Sequence, residues 1–128
     1  MILADTSVVI ALLRSADPKI LTTLKQHSAV ICGITRAEVL FGVRNPADHA
    51  RFTGVLALLP QSPIPDDLWE TIGLNLAQLR SAGLPMSLAD VTICSMAIHL
   101  GVDLWARDQH FRLIQPVLPA LKLFQEPP

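Results

Sequence analysis

The stretch MILADTSVVIALL, residues 1–13, passes in a few residues from a continuous apolar run into a helical pattern. Met1 to Ala4 reads as a short buried strand. Thr6 or Ser7 then opens a helix whose apolar face includes Val9, Leu12 and Leu13. Asp5 stands at the junction. The same grammar recurs downstream. Ala29 to Ile34 is short and rich in β-branched residues, which predicts a second strand, with a helix starting at Thr35. Val102 to Ala106 predicts a third strand, followed by a short helix near Gln109 to Ile114 and an edge strand over Leu121 to Phe124. Between these lie helical patterns from Pro18, over Ala47 to Leu59, from Asp66-Asp67 to about Ala82 with Gly83 as its stop, and from Ser87 to Leu100 with Gly101 as its stop. Pro60, Pro63 and Pro65 bracket a short strand or loop. Strands that alternate with helices predict parallel pairing and an α/β sandwich. In such sheets ligands bind outside the carboxyl ends of the strands.

The chain has 128 residues, of which 51% are hydrophobic and 16% charged, with a formal net charge of −1. That length predicts one domain spanning residues 1–128, and the apolar fraction argues against disorder. No apolar run approaches the ~20 residues of a membrane span. MILADTS has no basic n-region and meets an acid at position 5, so it does not read as a signal peptide. Cys32 and Cys94 sit apart in apolar surroundings and read as buried free thiols, which fits the cytoplasm. No basic footprint marks a nonspecific nucleic-acid coat. A carboxylate cluster with its own metal would mask one locally, so a nuclease is still open. Low charge with high apolarity also predicts that a partner covers some surface.

Of the eleven acidic residues, Asp5, Glu38, Asp90 and Asp108 lie where apolar segments meet helix-start signals. A hard cation shared between them, Mg²⁺ or Mn²⁺, would account for that placement. Each also has a capping explanation. Thr35-x-x-Glu38 fits a capping box, Ser87-x-x-Asp90 its looser form, and Asp5 and Asp108 could cap the helices after them. Capping requires no spatial convergence, whereas metal binding requires it. Asp5, Glu38 and Asp108 follow strands and so fall at one sheet edge; Asp90 has no strand directly before it. Asp17, Asp48, Asp66, Asp67 and Glu70 read as solvated caps, and Asp103 and Glu126 are given no role. His27, His49 and His99 read as helix-end or surface residues. His110, two residues past Asp108, is a candidate supporting or substrate-contacting group. No HExxH, GxGxxG, P-loop or GxSxG pattern occurs.

ILADTSVVIALL resembles the opening strand and helix of PIN domains. ITRAEVLFGV resembles their second acidic segment, and SLADVTICSMAIHLGVDLWARDQHFRLI the stretch carrying the third and fourth acids. Length and layout are similar to those of VapC toxins of bacterial type II toxin–antitoxin systems. The resemblance covers nearly the whole chain. It implies a PIN-like three-layer sandwich with a central, mainly parallel sheet flanked by helices. It also implies a Mg²⁺-dependent (or Mn²⁺-dependent) endoribonuclease with Asp5, Glu38, Asp90 and Asp108 as metal-binding and catalytic residues. Thr6 and Ser7 are candidates to position water or phosphate, and Arg36, Arg107 and Arg112 to contact RNA backbone. A departure is Ala106, where such proteins often carry Thr. The implied partners are RNA, a cognate antitoxin and a second copy in a homodimer, with no membrane. Leu21, Leu24, Val39, Leu40 and Phe41 are candidates for the antitoxin surface, though most of them read better as core.

Two other functions fit the same residues. One is a catalytically inactive PIN-like binding module, which would have no need of the intact acidic set. The other is an aspartate-dependent phosphohydrolase using the DTS stretch. That chemistry wants a lysine near the late acids, and after Lys25 only Lys122 is present.

Overall fold

The structure, a computed structural model, describes residues 1–15 and 17–128. In chain order its elements are β1 (Ile2–Ala4), α1 (Thr6–Ser15), α2 (Pro18–Gln26), α3 (Gly33–Phe41), α4 (Pro46–Leu56), α5 (Leu68–Ser81), α6 (Leu88–Leu100), β2 (Asp103–Trp105) and α7 (His110–Ile114). β1 and β2 pair in parallel, Ile2 with Asp103 and Ala4 with Trp105. Single parallel bridges extend this pair on both sides. Val30 joins Leu3, Gln61 joins Ile31, and Leu123 joins Leu104. The order across the sheet is therefore Gln61, Val30–Ile31, β1, β2, Leu123. Amide-to-carbonyl bonds of 2.8–3.0 Å seal the outer ribbons, among them Ala4 N–H to Val30, Ile31 N–H to Pro60 and Phe124 N–H to Leu104.

The alternation of side chains along a strand builds two cores. Leu3 and Leu104 point to one face and join α5, α6 and α7 through Ile72, Leu79, Ile93, Met96 and Phe111. Ile2, Ala4 and Trp105 point to the other and join α1 to α4 through Val8, Val9, Ile20, Val39 and Leu56. Helices on both faces of a parallel sheet make the three-layer sandwich. Leu3 and Leu104 are fully buried, each worth about 2 kcal/mol of transfer free energy. Helix α6 is the central support, with every residue from Val91 to Ala97 buried. Its two buried hydroxyls are satisfied, Thr92 by the Leu88 carbonyl at 2.7 Å and Ser95 by the Asn75 amide at 2.9 Å. Gly101 ends it at φ 67°, a left-handed conformation that glycine adopts without strain.

The structure corrects three sequence expectations. The strand expected over Ala29–Ile34 is a pair of single bridges at Val30 and Ile31. Helix α3 begins at Gly33 rather than Thr35, because Cys32 already has the extended backbone of an N-cap; Ile34, β-branched, goes into the helix and packs against the core. Tertiary packing overrides its strand preference. The Leu121–Phe124 strand is reduced to one bridge at Leu123. Of the apolar residues weighed as partner surface, Leu24 and Val39 are 2% exposed and belong to the core, as expected for most of that set, whereas Phe41 is 91% exposed.

Candidate functional site

Parallel pairing aims the carboxyl ends of β1, the Val30–Ile31 ribbon and β2 in one direction. Each hands the chain to a segment carrying an acid. Asp5 follows β1 directly and is 4% exposed. Its Oδ2 accepts the Ser7 amide at 3.0 Å and the Ser7 hydroxyl at 2.6 Å. The same Ser7 Oγ accepts the Arg107 backbone N–H at 2.9 Å, so one hydroxyl joins the exits of both strands. Glu38 lies on α3 and is exposed. Its Oε1 accepts the Thr6 hydroxyl at 2.7 Å. A hydroxyl has one proton, so the longer 3.4 Å approach of Thr6 to the Thr35 hydroxyl is secondary.

Asp90 sits in the first turn of α6. Helix α6 returns to the start of β2 through Gly101 and Val102 alone, so its N-terminus lies at the carboxyl end of the sheet. Ser87 caps it by accepting the Asp90 N–H at 3.1 Å. Asp108 lies three residues past β2, half-exposed, and its Oδ1 accepts the His110 N–H at 3.0 Å. The His110 ring Nδ1 pairs with that same oxygen.

The electrostatics links these acids. Burial pushes the Asp5 carboxyl up and the nearby Asp90 charge adds to it, against the two Ser7 bonds. Burial also pushes Asp90 up, assisted by the charges of Asp108 and Glu38 and opposed by Ser87 and His110. Cys94, one turn beyond Asp90, is held far above the usual thiol range by burial and then by Asp90 and Asp5. It is an inert neutral thiol. Asp90 thus lies within electrostatic reach of each of the other three acids, Asp5, Glu38 and Asp108. Among the described residues, no group of three His, Cys, Asp or Glu side chains closes on a single metal position. The carboxylates are neighbours, not a finished coordination shell. In Asp5, Glu38 and Asp108 the side-chain hydrogen bonds fall on one oxygen, leaving the other to a ligand. This set of hard, mutually repelling oxygen donors fits a divalent cation.

The capping accounts divide. Asp5 and Asp108 do bond the amide two residues on, and Ser87 caps as expected. The Thr35-x-x-Glu38 box does not form: Thr35 is a fully buried residue inside α3, and Glu38 turns to Thr6 instead. Arg36 is engaged elsewhere, its Nε donating to Gln61 Oε1 at 2.6 Å. Arg112 is exposed and borders the hollow beside Asp108. Glu126, given no role from sequence, accepts the Trp105 indole N–H at 2.8 Å and the Arg107 Nε at 2.8 Å. No spacing rule ties positions 19 residues apart in a loop, so no local signal marks that contact.

The PIN domain family profile matches residues 2–115. No curated protein matches the chain. Among solved structures, the fold is similar to VapBC2 from Rickettsia felis bound to a DNA fragment from its promoter, at 20% identity and TM-score 0.83, covering 97% of this chain and 98% of that one. It is similar to VapBC-1 from nontypeable Haemophilus influenzae, at 20% identity and TM-score 0.76, with 98% of each chain covered. It is also similar to VapBC-5 from Mycobacterium tuberculosis, a member of the VapBC family of toxin–antitoxin systems, at 17% identity and TM-score 0.69, with 96% of each covered.

Proposed function

The chain belongs to the PIN domain family, and we propose that it is a metal-dependent endoribonuclease acting as the toxin of a toxin–antitoxin pair. The observation that carries this reading is the gathering of Asp5, Glu38, Asp90 and Asp108 at the carboxyl edge of the sheet, with Asp5 and Asp90 raised by burial and by the other acids. Asp5, Asp90 and Asp108, with Glu38 direct or through water, would hold Mg²⁺ or Mn²⁺. A bound divalent ion supplies charge stabilisation to the phosphoryl group and makes water a better nucleophile. The chain's own residues supply orientation. Ser7 fixes Asp5, Thr6 steers Glu38, and His110 holds Asp108. Glu38 is the exposed acid, and its oxygen not bonded to Thr6 would orient an incoming water. Fixed carboxylates need little reorganisation when charge develops on the phosphate.

The VapBC complexes similar in fold support an antitoxin as partner. Phe41 supports it too, as an exposed ring beside Glu38 in a shallow hollow of about 370 Å³ shared with Thr6, Ile10 and Ala37. A cationic side chain on that partner would offset the acids. Homodimerisation and a cytoplasmic site of action complete the proposal; among the described residues no helix is long and apolar enough to cross a membrane.

The test is cleavage of total RNA by the purified chain with Mg²⁺ or with EDTA, beside Asp5→Asn. Cleavage that needs the metal and is lost in the variant is expected. Cleavage in EDTA equal to that in Mg²⁺, or none by the native protein, rejects the reading.

A further inference from the structure

Arg107 and Glu126 stand between two hollows of about 520 Å³ each. One runs toward α2 and is lined by Asp17, Lys19 and Gln26. The other contains Asp108 and Arg112. Both are bounded by Arg107 and Glu126. The guanidinium meets the carboxylate as a fork, Nε to Oε1 at 2.8 Å and Nη2 to Oε2 at 3.3 Å. An arginine fork takes a phosphate in the same way as a carboxylate. The Arg107 backbone is fixed by its bond to Ser7 Oγ, which also holds Asp5. Its side chain is about two-fifths exposed, as is that of Glu126. Exposed ion pairs of this kind are weak and readily exchanged.

We propose that Arg107 is an RNA phosphate-binding arm and that Glu126 occupies its fork as a displaceable stand-in for that phosphate. The inference rests on the ribonuclease reading and adds to it a residue that contacts substrate and a segment that competes with it. A nucleic-acid strand lying from Arg112 past Asp108 toward Lys19 meets Arg107 midway. Its phosphate releases Glu126, and the two hollows become one path. The Trp105 indole N–H, which shares the Glu126 carboxylate, loses its partner in the same event and reports it.

The experiment is steady-state RNA cleavage by the full chain, native and carrying Glu126→Gln, Arg107→Ala or both. Glu126→Gln is expected to lower KM by up to about five-fold, the reach of an exposed pair, with kcat unchanged. Arg107→Ala is expected to raise KM and to lessen the salt dependence of RNA binding by about 0.7 in log–log slope. In the Arg107→Ala background Glu126→Gln should do nothing. Glu126→Ala, which keeps no acceptor, must move KM in the same direction as Glu126→Gln. A higher KM in Glu126→Gln, or a gain that survives without Arg107, overturns the proposal while leaving the ribonuclease reading intact. If the native chain cuts no RNA, that reading falls, and the arm is judged on the Trp105 indole N–H resonance titrated with pyrophosphate. A shift in native protein that is absent in Arg107→Ala supports the anion arm; no shift in native protein overturns it.

Discussion

The Ser7 hydroxyl accepts the Arg107 backbone N–H at 2.9 Å across 100 residues of sequence, and donates to Asp5 Oδ2 at 2.6 Å. Ser7→Ala removes both bonds. Arg107 is exposed, so water can replace the lost acceptor, and the expected loss of stability is about 1 kcal/mol. Under the proposed ribonuclease reading activity should fall much further, on the order of 10²-fold, because a carboxylate proposed to hold the metal loses its orientation. Thermal melting and RNA cleavage on the same preparation check this. Equal, modest losses in both would show that Ser7 only braces the fold.

Thr6 steers Glu38 through a single 2.7 Å bond. Thr6→Val keeps the shape and removes the proton, so stability is expected to change by no more than about 1 kcal/mol, while cleavage drops. Thr6→Ser restores the donor and should restore most of the rate. If Thr6→Ser is as slow as Thr6→Val, packing of the methyl group is what matters at this position.

Burial, then the Asp90 charge, holds the folded Asp5 carboxyl above its ordinary value of 3.8. Between those two values the folded chain binds the proton more tightly than the unfolded chain. The stabilisation is full below 3.8 and is lost as pH rises through the folded value. Asp5→Asn carries no such charge, so in EDTA its melting temperature should exceed that of the native protein near neutral pH, with the gap closing toward about pH 4. A gap that is constant or widens on acidification would contradict the burial of a repelled carboxylate at this site.

A divalent metal bound at the proposed site would act on the same repulsion. An ion that binds only the folded state stabilises it by about 2.7 kcal/mol at 100 times its dissociation constant. Mn²⁺ or Mg²⁺ should therefore raise the melting temperature of the native chain by several degrees, and far less that of Asp90→Asn. Equal shifts in the two proteins would place the ions away from the acids.

Much of this architecture was legible because it depends on local chemistry. The apolar run before Asp5, the Ser87 cap and the Gly101 stop are each written in a few adjacent residues. β1, β2 and the helices fall close to where those signals put them. The Val30–Ile31 and Leu123 ribbons were overestimated as strands, because β-branched composition reads the same whether a segment makes one bridge or a full ladder. The placement of Asp5, Glu38 and Asp108 at one edge follows from parallel topology alone. Strand order does not place Asp90 there; the resemblance alone joined it to them, and the return of α6 to the start of β2 supplies the physical reason. The bonds of Thr6 to Glu38 and of Glu126 to Arg107 were not legible at all, since they join elements whose separation in sequence carries no periodicity.

A sheet this narrow offers little backbone for a neighbouring strand to pair with. Its outermost ribbons hold on by single bridges at Gln61 and Leu123. Prolines at 60, 63 and 65 flank one, and prolines at 116 and 119 precede the other. A proline has no amide proton to donate, and a one-residue bridge offers no template long enough for a foreign strand to zip onto. Both margins are thus poor templates for backbone pairing, whereas Phe41, the most exposed of the large apolar side chains among the described residues, offers a neighbour contact through its ring instead.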